Sequence, residues 1–186
     1  MPDIADCRIL IMATHGFEQS ELLVPLEELK AAGATVHVAT PDGKPIRGWN
    51  EKDWGETVAA DCPIKGVSPA RYDALVLPGG QMNPDVLRLN EAAVAIVREF
   101  ASSNKIVAAI CHAPWLLVEA GLAAGREMTS FPSIKTDMKN AGATWLDREV
   151  VVDDGIITSR SPGDLPAFVA KIIEGVEEGR HLRKAG

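Results

Sequence analysis

Residues 106–115 read IVAAICHAPW, and no other stretch of the chain indicates the architecture as clearly. Its first five residues are apolar, which predicts a strand buried on both faces, and the apolar residues after Cys111 predict a helix. A strand that turns directly into a helix needs small residues two positions before and after the tip. Ala109 and Ala113 occupy those positions. The pattern therefore predicts a nucleophile elbow at Cys111, although a buried core cysteine fits the same residues.

Strand and helix patterns alternate through the rest of the chain. Strands are predicted at Arg8–Ala13, Thr35–Ala39, Ala74–Leu77, Ile106–Ile110 and Ile156–Ser159, the last preceded by a strand at 149–152 and a turn at 153–155. This alternation predicts an α/β fold, a flavodoxin-like three-layer sandwich with a mainly parallel central sheet. The common strand order is then 2-1-3-4-5.

The remaining segments are predicted to be local features of one domain that spans residues 1–186. Residues 41–66 are rich in Gly, Pro, Asp and Trp, which predicts a loop or short hairpin. Ser161, Pro162 and Asp164 predict a capping box at the start of the last helix. A short flexible tail is predicted from about residue 180.

The predicted strand order brings three loops together at the carboxyl edge of the sheet, where ligands bind in such folds. These loops carry Glu18, the pair Gly79 and Gly80, and Cys111. A helix N-terminus after Cys111 would lower the pKa of the thiol. His112 follows directly and is a candidate acid or base, or else a partly exposed histidine at a helix start.

Glu18 is either an ordinary acid in the first turn of a helix or a protonated carboxyl that donates a hydrogen bond to Cys111. Glu21 is the alternative acid, and we expect it to face solvent. Gly79 and Gly80 let the backbone approach a ligand closely. With the amide of His112 they are candidate oxyanion-hole donors, or they simply form a turn.

Composition excludes several classes of function. The net charge of −7 argues against general nucleic-acid binding. Three cysteines with long spacings suit a reducing cytoplasm and give no metal site. The first residues lack a basic region, so we expect no signal peptide. Residues 106–124 are long enough for a membrane span, but His112 and Pro114 interrupt them, which favours a buried strand and helix.

Several separated motifs resemble the ThiJ/PfpI superfamily, with its class I glutamine-amidotransferase-like, flavodoxin-like fold. The motifs, in chain order, are GFEQSEL, ALVLPGG, AICHAPWLL, TSFPSIKTDMKNAGATWLDREVVVD and SRSPGDL. The subgroup that they resemble most is that of PfpI-type and general stress proteins. The resemblance covers nearly the whole chain.

The resemblance implies that Cys111 is the nucleophile, with His112 beside it and Glu18 contacting the thiol. Peptidase-type members complete a triad with a Glu from an adjacent subunit. The matching residue here is Asp85, whose side chain is one methylene shorter. The resemblance also implies a homodimer or a hexamer built from dimers, and no cofactor or metal.

Four functions fit these residues. The first is a stress-response enzyme of the glyoxalase or deglycase type, acting on small carbonyls or glycated proteins. The second is a cysteine sensor of oxidative stress or a chaperone, without turnover. The third is a PfpI-type cysteine peptidase. A binding module that uses the carboxyl-edge crevice is the remaining alternative.

Overall fold

The centre of the structure, a computed structural model that describes residues 3–179, is a seven-stranded sheet. Its strands are β1 (Arg8–Met12), β2 (Thr35–Thr40), β5 (Cys62–Pro63), β6 (Ala74–Leu77), β7 (Ile106–Ile110), β10 (Val150–Asp153) and β11 (Ile156–Ser159). Four more strands, β3 (Ile46–Asn50), β4 (Asp53–Val58), β8 (Glu127–Met128) and β9 (Thr144–Trp145), form two small ribbons. The predicted tail from about residue 180 lies outside the described residues.

The strand order is β10-β11-β7-β6-β1-β2-β5, and the predicted order 2-1-3-4-5 is therefore confirmed for the five main strands. These five run parallel, and only β10 is antiparallel, to β11. The turn between β10 and β11 has positive φ at Asp154 and Gly155, as a two-residue hairpin requires. The sequence did not reveal β5, which adds two residues to the opposite edge.

Helices cover both faces of the sheet. They are α1 (Gln19–Ala31), α2 (Met82–Leu87), α3 (Glu91–Ser102), α4 (Pro114–Glu119), α5 (Lys135–Asn140) and α6 (Leu165–Glu178). Alternate residues of each strand point to opposite faces. Ile11 and Val76 accordingly pack with α1 and α6, while Leu75 and Leu77 pack with α3 and α4. None of the helices within residues 3–179 is long and apolar enough to cross a membrane.

Two local predictions have different outcomes. The segment 41–66 contains the predicted hairpin, formed by β3 and β4. The prediction of a capping box at Ser161 is wrong, because the Ser161 side chain makes no capping hydrogen bond. The Asp164 carboxylate instead accepts hydrogen bonds from the backbone N–H and the guanidinium of Arg160. An ion pair with Arg160 therefore replaces the reciprocal cap.

Parallel registration places the ends of β1, β6 and β7 at one edge. Ile11 pairs with Val76, and Val76 pairs with Ala108, so the loops after these strands begin side by side. The predicted convergence of the three loops follows directly. It is visible in the hydrogen bond from the backbone N–H of Glu18 to the carbonyl of Gly79, at 3.3 Å.

Candidate active site

Cys111 sits at a strained turn between β7 and α4. Its φ is +65°, a left-handed conformation that is rare for a residue with a side chain. Two backbone hydrogen bonds hold this conformation. The N–H of Cys111 donates to the carbonyl of Ser159 at 3.0 Å, and its carbonyl accepts from the N–H of Phe131 at 2.7 Å. The predicted nucleophile elbow is therefore present, and its strain, of about 1–3 kcal/mol, is offset by neighbouring segments.

The acid beside the thiol is Glu21, and the expectation that Glu21 faces solvent is wrong. Its side chain is fully buried, and its carboxyl interacts with the Cys111 thiol. The Oε2 atom accepts a hydrogen bond from the N–H of Gly79 at 2.9 Å. The Oε1 atom has no hydrogen-bond partner among the described residues.

The expectation that Glu18 contacts the thiol is not met. Glu18 is the residue before the first turn of α1, and its side chain is only partly buried. Glu21 lies almost one helical turn later, on the side of α1 that packs on the sheet. Burial and the charge of Glu51 raise the pKa of Glu18, and the charge of Glu18 in turn helps to raise the pKa of Glu21.

Gly79 makes room for Glu21. A Cβ atom at this position would lie 2.6 Å from Cβ of Cys111 and 2.6 Å from the carbonyl oxygen of Ile110. Both contacts are shorter than real Cβ atoms allow. A glycine is therefore required here for the acid, the thiol and the loop after β6 to meet.

The protonation states follow from burial. Burial and the nearby charge of Glu18 raise the pKa of Glu21 to about 8, so the carboxyl is mostly protonated at neutral pH. Burial and Glu21 also raise the pKa of the Cys111 thiol, although the N–H groups of Gly80 and His112 act in the opposite direction. The predicted lowering of the thiol pKa is therefore wrong for the resting site, where desolvation outweighs the helix N-terminus.

His112 does contact the thiol, with its Nδ1 atom 3.2 Å from Sγ of Cys111. Its Nε2 atom lies 3.1 Å from Oγ of Ser133. The ring stacks on Phe131 at a centroid distance of 4.7 Å and meets the Trp115 ring edge-on at 5.3 Å. Burial lowers the pKa of His112, which favours a neutral imidazole at neutral pH. A neutral ring can take a proton from the thiol.

Only two of the three N–H groups predicted to form an oxyanion hole are available. The N–H of Gly79 is occupied by Glu21, whereas the N–H groups of Gly80 and His112 are directed at the sulfur. Gly80 has a φ of +77°, which a residue with a side chain would adopt only with strain. Two backbone donors thus remain beside the thiol.

Asp85 lies on the exposed side of α2, and the His112 ring is paired with Cys111 and Ser133. The role predicted for Asp85 concerns a second subunit and remains a prediction. Within residues 3–179, no three His, Cys, Asp or Glu side chains are grouped closely enough to hold a metal ion.

Sequence reasoning did not identify Ser133 or Phe131 as members of the site. They belong to the TSFPSIK segment, which precedes and begins a short turn of 3₁₀ helix at Pro132–Ile134. Their spacing from Cys111 follows no periodicity, because a separate loop returns them to the elbow. The sequence pointed to this stretch only as a whole, because it belongs to one of the motifs on which the family resemblance rests.

The chain is similar to known proteins both in sequence and in structure. Residues 7–175 match the DJ-1/PfpI family. A Thermococcus kodakarensis protein named a deglycase is 44% identical over 167 residues, covering 90% of this chain and 98% of that protein. An Escherichia coli protein named protein/nucleic acid deglycase 2 is 44% identical over 87% of this chain and 92% of its own. The crystal structure of Drosophila melanogaster DJ-1beta superposes with a TM-score of 0.82, at 30% identity, over 92% of this chain and 94% of that one.

Proposed function

Because the chain belongs to the DJ-1/PfpI family, we propose that it is a cysteine-dependent deglycase in the stress response, acting on small reactive carbonyls and their adducts with proteins. The observation that carries the proposal is the arrangement around one sulfur. The Sγ atom of Cys111 has the imidazole of His112 and the buried carboxyl of Glu21 as neighbours. A nucleophile with a base and an acid is the set that carbonyl addition requires.

The first step is addition of the sulfur to the aldehyde carbon. The thiol proton moves to Nδ1 of His112, a carbon–sulfur bond forms, and the carbonyl electron pair moves to the oxygen. The N–H groups of Gly80 and His112 stabilise that oxygen, and Glu21 then protonates it. The product is a hemithioacetal on Cys111.

The second step converts the adduct of a dicarbonyl such as methylglyoxal into a thioester. The Glu21 carboxylate removes the proton from the former aldehyde carbon and returns it to the neighbouring carbon. The protonated His112 gives its proton to the oxygen of that neighbouring carbon and takes one from the hydroxyl of the former aldehyde carbon, which becomes the thioester carbonyl. Its pKa of about 8 suits both directions of transfer near neutral pH. Water then cleaves the thioester, which releases lactate and restores the thiol. In a hemiaminal adduct of a protein amine, the sulfur forms its bond to the same carbon as the carbon–nitrogen bond breaks. The leaving amine takes from His112 the proton that came from the thiol, and the hemithioacetal is again the product.

Access to the sulfur favours small substrates. Cys111 is only 6% exposed, and Phe131 and Trp115 pack on the adjoining His112 ring. A peptide chain would need more room at the nucleophile, so the peptidase alternative has less support. The peptidase alternative also requires that a second copy of the chain supplies Asp85. Sedimentation tests whether the chain self-associates, and the Asp85→Asn variant tests whether that carboxylate is needed. We include self-association and a reducing, cytoplasmic location in the proposal.

The decisive experiment measures methylglyoxal consumption by the wild type and by Cys111→Ser, Glu21→Gln and Glu18→Gln. We expect no turnover in Cys111→Ser and a loss of about 100-fold or more in Glu21→Gln, the range for a general acid or base. Glu18→Gln is the matched control, and we expect its rate within about threefold of the wild type.

Two outcomes would contradict the proposal. Undiminished turnover in Cys111→Ser would remove the thiol from the reaction. A larger loss in Glu18→Gln than in Glu21→Gln would reverse the assignment of the acid. Circular dichroism of each variant establishes that the fold is retained.

A redox sensor is the second candidate, favoured by the donors that surround the sulfur. The N–H groups of Gly80 and His112 and the protonated Glu21 are suited to hydrogen-bond the oxygens of an oxidised Cys111. The sulfur would attack one peroxide oxygen, giving a sulfenic acid and water. We expect peroxide to add oxygen to Cys111 before Cys7 and Cys62, as measured by peptide mass spectrometry. Equal oxidation of all three thiols argues against a sensor.

A further inference from the structure

Ser133 holds the far side of the catalytic imidazole. Its Oγ atom lies 3.1 Å from Nε2 of His112, while Nδ1 of the same ring faces Cys111. Phe131, two residues before Ser133, donates its backbone N–H to the carbonyl of Cys111 and stacks on the His112 ring. The hydroxyl is therefore placed by the same segment that fixes the elbow.

We infer that Ser133 is a positioning residue that controls which nitrogen of His112 carries the proton. When the hydroxyl accepts a hydrogen bond from Nε2–H, the lone pair of Nδ1 is left facing the thiol and can receive its proton. The inference rests on the proposed function, because it assigns the base of that reaction. No carboxylate from a second subunit is needed for this orientation.

A hydroxyl suits this position better than a carboxylate. It can accept from Nε2–H or donate to a bare Nε2 atom, so it can follow the ring as Nδ1 gains and loses a proton. A carboxylate can only accept and would stabilise the imidazolium form. That stabilisation would keep His112 charged up to a higher pH, so the neutral base would be available over a narrower range of pH.

Other charged groups near the ring act at longer range or through Trp115. Arg88 of α2 lies over the Trp115 ring at 5.5 Å, and Asp137 of α5 accepts a hydrogen bond from the Trp115 indole. The elements around the ring carry titratable groups that include Glu18, Glu21, Asp85, Arg88, Cys111, Glu119, Lys135, Asp137 and Lys139. Ser133 is the group in direct contact with Nε2.

The first test reads the tautomer of His112 by nitrogen and carbon NMR of the labelled ring, on full-length wild type, Ser133→Ala and Ser133→Thr. We expect the Nε2–H form in the wild type and in Ser133→Thr, which keeps the hydroxyl. Ser133→Ala should show a mixture or the Nδ1–H form. The same Nε2–H population in all three proteins would overturn the inference.

The second test is kinetic. We expect Ser133→Ala to lower kcat for methylglyoxal by a factor on the order of ten, which one hydrogen bond to a neutral group can supply, with KM unchanged. Ser133→Thr should restore most of the rate. Ser103→Ala is the control, because Ser103 is exposed at the end of α3, near the opposite edge of the sheet. An equal rate in Ser133→Ala and the control would contradict the role.

The third test is the pH profile of Ser133→Asp. An added carboxylate raises the pKa of the imidazole, so the neutral base is lost at a higher pH than in the wild type. The acidic limb of kcat/KM should therefore move to higher pH, and an unmoved limb would count against the assignment. The NMR result does not depend on turnover. Failure of the proposed function and failure of this inference can therefore be told apart.

Discussion

At the scale of single residues, the site depends on a proton that Glu21 retains near neutral pH. The carboxyl is buried against Gly79 and Cys111, and its raised pKa follows from that burial. Sequence reasoning predicted an acid of this kind but chose Glu18. Two glutamates stand almost one helical turn apart in GFEQSEL, and only the starting residue of α1 decides which of them points inward.

The raised pKa of Glu21 predicts a pH-dependent stability. The folded state, with a pKa of about 8, holds the proton more tightly than the unfolded state, whose reference value is 4.5. This contribution to stability is complete below the unfolded pKa and is lost as the pH rises through 8. Glu21→Gln keeps an acceptor for the N–H of Gly79 but cannot titrate.

We therefore expect the unfolding free energy of the wild type to fall relative to that of Glu21→Gln between pH 5 and pH 8. The difference in slope is at most about 1.4 kcal/mol per pH unit, the value for one proton. Urea unfolding at several pH values measures it. Parallel pH profiles for the two proteins would mean that Glu21 is ionised in the folded state.

At the scale of elements, the hairpin of β3 and β4 supports the loop that leads into α1. The N–H of Trp49 donates to the carbonyl of Phe17 at 2.7 Å, and the N–H of Gly16 donates to the carbonyl of Arg47 at 2.9 Å. On the hairpin itself, the rings of Trp49 and Trp54 meet edge-on, with centroids 5.6 Å apart. The guanidinium of Arg47 also joins the two strands, because it donates hydrogen bonds to the carbonyl groups of Trp54 and Gly55.

The ring pair predicts a measurable coupling. In a double-mutant cycle of Trp49→Leu and Trp54→Leu, we expect a coupling free energy of about 0.5–1.5 kcal/mol, the usual worth of an edge-to-face pair. Urea unfolding of the four proteins supplies the values. Additive losses would show that the rings contribute only through their separate burial.

Elements with long apolar runs could be predicted, and short ones could not. The five main parallel strands each have four or more residues, most of them buried. They are β1, β2, β6, β7 and β11. The helix α2 has six residues with Pro84 among them, too few to show a period. The strands β8 and β9 have two residues each and exist because their neighbours position them.

At the scale of the whole molecule, the parallel sheet accounts for most of what the sequence could predict about the site. Once the order 2-1-3-4-5 is known, the loops with Glu18 and Glu21, with Gly79 and Gly80, and with Cys111 must adjoin. Many buried residues together determine this strand order, so the sequence pattern defines it well. Ser133 is reached through an irregular loop whose path depends on local contacts, which no pattern in the sequence encodes.

The two hydrogen bonds that hold Cys111 in its left-handed conformation have a consequence for synthesis on the ribosome. Their partners, Phe131 and Ser159, are translated well after Cys111 itself. At translation speeds of about 5–20 residues per second, the nascent chain carries an ordinary, unconstrained cysteine for several seconds. The elbow can form only when β11 has emerged and joined the sheet. The arrangement of His112 and Glu21 around this thiol is therefore absent from a nascent chain that ends before β11 and forms only after β11 is made.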